Sequence, residues 1–365
     1  MSSERPTVLV VDDSAVVRSV ITDVIEASGE FHVVGTAANG LEAIRQVHAL
    51  NPALITLDVQ MPELDGLQAL GYIMSEAPRP VVMLSALEVP GGGDLTIRAL
   101  ELGAVDFVRK PGRDEGLDAT ALAAQLIVAL RGAAGSNPRA TAILAKPHAA
   151  TKPARVATYP ARHVVAIAAS TGGPRALAEL IPSLPPDLGA AVLVVQHMPR
   201  GFTDSLARRL DRLSALPVAE AREGDLVMAG RVYIAPGGRH MVVRDSAEGC
   251  RIALHDEPPV WGMRPSADPL FASVALVFGR NAVGVVLTGM GRDGAEGLKT
   301  LRMAGAFAVV QDPASSVVYG MPSFAIRHAG ADAVTPLREM AGVVAGRVAE
   351  LRRERPVTPA SPALS

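Results

Sequence analysis

TVLVVDDS, residues 7–14, is an unbroken apolar run closed by two carboxylates and a serine able to start a helix. No polar residue alternates along it, the pattern of a strand buried on both faces and hence of a parallel sheet. Working outward, FHVVGTA (31–37), ALITL (53–57), PVVML (80–84) and AVDFV (104–108) repeat the theme, each trailed by a helical pattern. Five strand-helix units predict a parallel sheet covered on both sides. The theme returns in HVVAIAA (163–169), AAVLVVQ (190–196), AVGVVLT (282–288) and AFAVVQ (306–311). Between the second and third of these, VYIAP, HMVVR and CRIALH within 217–256 predict shorter strands joined by turns.

The chain has 365 residues, 49% of them hydrophobic, so two domains of roughly 100–200 residues, each with its own core, are expected. The expected division is a first domain over 1–130, a Pro/Ala-rich linker over 131–161, a second domain over 162–352 and a flexible tail over 353–365. Both domains read as α/β, the first as a flavodoxin-like (βα)5 unit and the second as doubly wound around a mainly parallel sheet. With 35 Lys+Arg against 37 Asp+Glu, the formal charge of −2 offers no general pull toward nucleic acid or an anionic membrane. Scarce aromatics (7 Phe, 4 Tyr, 1 Trp) argue against base-stacking platforms. The single cysteine, Cys250, excludes an internal disulfide and a cysteine metal cage. The N-terminus lacks a signal peptide's layout, and no uncharged apolar stretch reaches the ~18 residues of a span. A cytoplasmic protein, not inserted in a membrane, is expected.

Two groups of residues stand at strand ends, where open parallel sheets bind ligands. Asp12 and Asp13 follow the first strand and Asp58 the third, which are neighbours if the order is 2-1-3-4-5. Three converging carboxylates need a cation, and an all-oxygen set suits Mg²⁺. Ser85 ends the fourth strand and Lys110 the fifth. A carboxylate nucleophile, a metal, a hydroxyl and an ammonium around one point are the requirements of an aspartyl-phosphate site.

In the second half, Ser170 follows one strand in STGGP (170–174), His197 another and Asp293 a third, in GMGRDG (289–294). A serine hydroxyl needs a base within hydrogen-bond reach, and the base needs an acid to fix its tautomer; these three residues can supply the roles. Pro174 suits a first helical turn, and Thr203-Asp204 can cap the helix after His197. Taken singly, Ser170 reads as a cap, His197 as a satisfied polar residue and Asp293 as a cap; their joint placement favours catalysis. Gly289, Gly291 and Gly294 also match the dinucleotide fingerprint, with Asp312 after the next strand. A carboxylate at 293 would repel a pyrophosphate, and the motif comes late in the domain. The α/β-hydrolase reading fails because Ala168 stands where G-x-S-x-G needs its first glycine, and because the order is Ser, His, Asp.

Around these residues, DD at 12–13, DVQMPELDG at 58–66, SA at 85–86 and KP at 110–111 resemble a two-component receiver domain over about residues 5–130. AIAASTGGP (166–174), VVQHMPRGFT (194–203), RPSADPLF (264–271), VVLTGMGRDGAEGL (285–298) and QDPASSVVYGMP (311–322) resemble the CheB-type chemotaxis protein-glutamate methylesterases. The resemblance implies phosphorylation of Asp58 by a CheA-type histidine kinase, with Mg²⁺ held by Asp12, Asp13, Asp58 and the Gln60 backbone carbonyl. It implies phosphoryl sensing by Ser85 and Lys110. For the second domain it implies Ser170 as nucleophile, His197 as general base and Asp293 as its orienter. Thr171 and Met290 would line the site, the Met290 N–H being an oxyanion donor, and no metal or other cofactor is needed there. The implied reaction is hydrolysis of glutamate γ-methyl esters, and deamidation of glutamines, on methyl-accepting chemotaxis receptors, activated by phosphorylation. Ala168 and Met263 depart from the family pattern, which often has glycine and histidine there. A DNA-binding output is disfavoured because no compact basic helix-turn-helix follows the receiver, and a non-catalytic adaptor because all three triad residues remain. His163, His240 and His255 read as structural, Cys250 as packing, and Trp261 as a core or interface anchor.

Overall fold

The computed structural model describes residues 5–85, 92–110, 119–137 and 159–354. Ala86, Pro111, residues 138–158 of the expected linker and the tail from 355 lie outside them.

The first sheet is parallel and runs β2 (His32–Ala37), β1 (Thr7–Val11), β3 (Leu54–Asp58), β4 (Val81–Ser85), β5 (Asp106–Arg109), the expected flavodoxin-like order. β3 and β4 are buried at every residue, as their unbroken apolar runs require. Helices α1 (Ala15–Ala27), α2 (Gly40–Leu50), α3 (Gly66–Glu76), α4 (Gly92–Glu101) and α5 (Ala119–Ala134) follow the strands. Ser14 caps α1 through Val17 N at 3.4 Å, and Asn39 caps α2 through Glu42 N at 2.8 Å. Asp65 and Gln68 form a reciprocal capping box on α3. Such caps contribute about 1 kcal/mol each.

The second sheet has seven parallel strands, ordered β14 (Ala333–Thr335), β13 (Phe307–Gln311), β12 (Ala282–Val286), β6 (Val164–Ala169), β7 (Ala191–Gln196), β9 (Val232–Ile234), β8 (Val218–Glu220). Its helices are α6 (Gly173–Ser183), α7 (Phe202–Leu213), α8 (Ala267–Phe278), α9 (Ala295–Met303), α10 (Gly320–Ala329) and α11 (Leu337–Arg353). The predicted short strands divide: VYI joins the main sheet as β9, whereas β10 (His240–Arg244) and β11 (Arg251–His255) form a separate antiparallel hairpin. Val243 N of the hairpin is tied to Ser273 Oγ of α8 at 3.0 Å. Edge strands β8 and β14 escape sequence reading because VAE and AVT lack the unbroken β-branched and aromatic run that marks VYI.

One expected cap is corrected. Gly201, with left-handed backbone, stands at the N-cap of α7, so Thr203 lies inside the helix. Its hydroxyl instead donates to Glu220 Oε1 at 2.5 Å and accepts from Gly237 N at 2.9 Å, tying α7 to the edge of the sheet. Asp204 pairs with Arg208 one turn on.

The two sheets meet through α4, β5 and α5. α4 packs against α6 and α7. Phe107 of β5 meets Phe202 of α7 with ring centroids 4.4 Å apart. Glu101 of α4 receives Arg209 of α7 in a two-pronged pair at 2.7 and 2.9 Å. Beyond α5, Asn137 N donates to Val317 O at 2.9 Å. No helix among the described residues is long and apolar enough to cross a membrane.

Gly66 opens α3 directly beneath the end of β3. A Cβ there would lie 1.9 Å from the Asp58 carbonyl oxygen, an atom that cannot move without moving the strand end. Gly66→Ala should therefore lower unfolding stability by about 3 kcal/mol, within the upper range for overpacking, measured by urea denaturation against wild type.

Candidate functional site

Asp12 and Asp58 are buried at the ends of β1 and β3, and Asp13 is exposed beside them. Oxygen atoms of the three carboxylates lie within 4.8 Å of one another. Lys110 sets its Nζ 2.6 Å from Asp12 Oδ2 and 2.7 Å from Asp58 Oδ2. One ammonium against three carboxylates leaves a net negative site of oxygen donors, which fits a hard divalent cation. Burial pushes the Asp58 carboxyl up to about 6, reinforced by the charge of Asp12 and opposed by Lys110 and by the Gln60 backbone N–H. Ser85 ends β4, its hydroxyl 2.5 Å from Thr96 Oγ1 on α4. Asp12, Asp13, Asp58 and Lys110 therefore converge at one sheet edge, whereas the Ser85 hydroxyl is turned toward α4.

Across the junction, Ser170, His197 and Asp293 follow the neighbouring strands β6, β7 and β12. His197 Nε2 is 2.7 Å from Asp293 Oδ2. Asp293 is itself fixed by Ser266 Oγ at 2.6 Å and by the backbone N–H groups of Ala267 and Asp268 at 2.7 and 3.2 Å. It thus caps α8 from another loop, its charge facing the positive end of that helix. Burial pushes the Asp293 carboxyl up, but the hydrogen bond and charge of His197, with the Ser266 and Ala267 donors, outweigh it and hold the group below its ordinary range. An ionised carboxylate only accepts, so Nε2–H is the donor to Asp293. Nδ1 is buried and has no hydrogen-bond partner among the described residues.

Ser170 N donates to Thr288 O at 3.1 Å, and its carbonyl accepts from Gln196 Nε2 at 2.9 Å. Gly289 packs so closely that a Cβ there would stand 2.7 Å from Ser170 Cβ. Thr288 N donates to Gln311 Oε1 at 2.8 Å, and Thr288 Oγ1 to Thr171 O at 3.0 Å. These buried amides and hydroxyls fix the turn that carries Ser170. Sequence reading missed them, although glutamines ending the apolar runs AAVLVVQ and AFAVVQ are a signal: a polar side chain there must be satisfied. It also missed Ser266, which only its contact with Asp293 reveals.

The first unit reaches this edge. Thr171 Oγ1 donates to Asp106 Oδ2 of β5 at 2.7 Å. Desolvation at the junction pushes the Asp106 carboxyl up, against the pull of Thr171, the Phe107 N–H and His197. Gly132 of α5 leaves room for both Thr171 and Met290, whose atoms would stand 3.6 and 3.9 Å from a Cβ there. The residues expected to line the site therefore face α5 and β5.

The remaining expectations are partly corrected. Trp261 is half exposed and so is not the core anchor that was one of its two expected roles; Arg292 lies over its ring. His240 stacks on His255 with centroids 5.1 Å apart. Cys250 is buried, its thiol pushed up to about 12 by burial and, secondarily, by Asp245, which leaves it inert.

Residues 165–344 match the family model of the CheB methylesterase and residues 8–121 that of the response regulator receiver domain. The protein-glutamate methylesterase/protein-glutamine glutaminase of Pyrococcus horikoshii is 45% identical over 349 residues, 94% of each chain. Its namesake in Symbiobacterium thermophilum is 46% identical over 360 residues, 95% of this chain and 98% of that one. The crystal structure of the Thermotoga maritima CheB methylesterase catalytic domain is 38% identical with a TM-score of 0.50, covering 50% of this chain and 97% of that chain.

The raised Asp58 carboxyl carries a stability consequence. Its folded value of about 6 lies above the unfolded ~3.9, so the fold favours the protonated form; stability falls as pH rises through that window and then levels off. Asp58→Asn in EDTA should be the more stable protein by roughly 1–3 kcal/mol above pH 7, with the gap narrowing from pH 6.5 down to 4.5, measured by urea unfolding.

Proposed function

The chain belongs to the CheB methylesterase family, the protein-glutamate methylesterases/protein-glutamine glutaminases, and from that premise we propose that Ser170, His197 and Asp293 are its catalytic residues and Asp58 its phosphorylation switch. The observation that carries the reading is the anchored Asp293, which accepts from Ser266, Ala267 and Asp268 and fixes His197 through Nε2, the buried Nδ1 having no hydrogen-bond partner among the described residues.

Ser170 Oγ attacks the γ-carbonyl carbon of a glutamate methyl ester and passes its proton to His197 Nδ1. The oxyanion is held by backbone N–H groups of the loop, that of Met290 among them. Collapse of the tetrahedral adduct expels the methoxy oxygen, which takes the proton from His197 and leaves as methanol. Water then attacks the acyl-enzyme, its proton passes to His197, and Ser170 is restored as a glutamate carboxylate departs. With a glutamine side chain the first leaving group is ammonia. Asp293 stabilises the imidazolium in both half-reactions and no metal enters this site.

Residues 1–130 are the proposed receiver and 162–352 the proposed esterase, with a linker over 131–161 whose first four residues complete α5 and a tail over 353–365 whose first residue ends α11. Asp12, Asp13, Asp58 and the Gln60 carbonyl would hold Mg²⁺, which supplies charge neutralisation for phosphoryl transfer to Asp58. The phosphodonor is a CheA-type histidine kinase, and the substrates are methyl-accepting chemotaxis receptors, so the enzyme works in the cytoplasm. No nucleic-acid or membrane-inserted role is proposed. Phosphate on Asp58 would draw Lys110 and the Ser85 hydroxyl. The second of these now contacts Thr96 on α4, the helix packed on α6 and α7. Rearranging α4 would weaken the contact that holds Asp106 and α5 over Thr171 and Met290. The activating effect is then the difference in phosphoryl interaction between covered and uncovered states.

The test is methanol release from methylated receptor membranes, with and without Mg²⁺ and a small phosphodonor. Ser170→Ala should lose at least about 10³-fold in rate, and Asp58→Asn should keep the unstimulated rate while losing all response to the phosphodonor. Equal, unresponsive rates in wild type and Asp58→Asn would remove the switch; methanol release that survives Ser170→Ala would remove the nucleophile. Arg209→Ala, which breaks the pair with Glu101, should raise the rate without phosphodonor several-fold in the same assay, since losing an interaction of about 1 kcal/mol shifts the covered state by roughly that factor.

A further inference from the structure

Arg292 stands immediately before Asp293 and is exposed, yet its side chain is held in place. Its guanidinium carbon lies 4.5 Å from the Trp261 ring centroid and 5.5 Å from that of Phe324 on α10. Trp261 is half exposed, sits in a left-handed backbone conformation, and donates its Nε1 to Asp268 Oδ2 at 2.8 Å. Asp268 in turn accepts from Gly297 N at 2.8 Å. The indole is thereby fixed to α8 and α9, and Arg292 is fixed to the indole.

Among the described residues no carboxylate or carbonyl takes a hydrogen bond from Arg292, whereas Arg239 and Arg302 are each paired with an aspartate. A stacked guanidinium keeps its edge N–H groups directed outward and has little rotamer freedom left to lose on binding. Arginine and tryptophan together are the composition of binding hot spots. Arg327, 5.8 Å from the Phe324 ring, adds a second cation at the stack.

We propose that the Trp261, Arg292 and Phe324 stack is the specificity element of the esterase: it takes carboxylate side chains that flank the scissile ester on the substrate protein. The inference rests on the catalytic reading of Ser170. Two charges favour an anionic segment here and nowhere deeper. Asp268, bonded to the indole, and Asp293, bonded to His197, bring negative charge beside the stack, so a carboxylate approaching Ser170 is repelled unless a cation meets it first, and Arg292 is one residue from Asp293. The reaction itself converts neutral esters and amides to carboxylates, so a segment bearing several such sites gains negative charge as turnover proceeds. A cation at the lip then retains a partly processed segment for its next ester.

The test uses the full chain, activated with phosphodonor, on two peptides that carry one glutamate γ-methyl ester and differ only in flanking residues, acidic in one and their amides in the other. The readout is the ratio of kcat/KM for the acidic to the neutral peptide, by methanol release. Wild type should prefer the acidic peptide, and the preference should fade with added salt. Arg292→Gln should lower the ratio about tenfold, the value of one charge-assisted hydrogen bond. Arg292→Glu should invert it, and Arg292→Lys, which keeps the charge without the stacked fork, should fall between. A ratio that stays constant across all three variants while wild type cleaves both peptides overturns the proposal and leaves the esterase standing. An equal loss on both peptides in all three assigns Arg292 a structural role and overturns it too. Cleavage of neither peptide by wild type, beside active receptor membranes, means that flanking charge is not what the stack reads and also ends it; no cleavage of peptides or membranes ends the catalytic reading itself.

Discussion

A parallel sheet buried on both faces has no place for polar side chains except its ends, and that constraint organises this molecule twice. β3, β4, β6, β7 and β12 are buried along their whole length. Asp12, Asp58, Ser85, Ser170, His197 and Asp293 therefore stand at the last residue of a strand or in the loop that follows it. Helices packed on both faces leave the strand ends as the open edge, where the side chains of neighbouring strands converge. Asp58 beside Asp12, and His197 beside Asp293, are two results of the same geometry.

Once gathered there, buried charges need partners, and the two edges solve this differently. Around Asp58 a single lysine serves two carboxylates, and the Asp58 carboxyl remains raised, to about 6. Around Asp293 every acceptor direction is used, by one hydroxyl, two backbone N–H groups and an imidazole, and the carboxyl is lowered. An under-neutralised site is poised to accept a cation, whereas a fully satisfied one is a rigid fixture. The contrast matches the roles proposed for them.

The strands were legible because uninterrupted Val, Ile, Leu and Ala runs have one good interpretation, and Ser170, His197, Asp293, Asp12, Asp13 and Asp58 were legible because each directly follows such a run or stands in its loop. Residues that act across the chain were not. Ser266 and Asp106 carry no local mark of their contacts with Asp293 and Thr171, which depend on tertiary placement. The expected cap at Thr203 failed for a related reason. A hydroxyl near a helix start is an ordinary cap by sequence, but Gly201 takes the N-cap position and Thr203 is drawn to Glu220 and Gly237 instead. Of the two roles expected for Trp261, the core one failed because the indole is half exposed and carries a guanidinium over its ring.

The contact between α4 and α7 is made by two halves of one chain, and Asn137, just past α5, is already bonded to Val317 of the other half. Its closure is therefore unimolecular. The packing of α4 on α6 and α7, the ring pair, the bidentate ion pair and the hydroxyl-carboxylate bond act on a tether, at an effective concentration of order millimolar. Dilution in the cell does not open the contact and crowding by other receivers does not compete for it. The balance between closed and open forms is therefore the same in every molecule, regardless of how much of the protein is made.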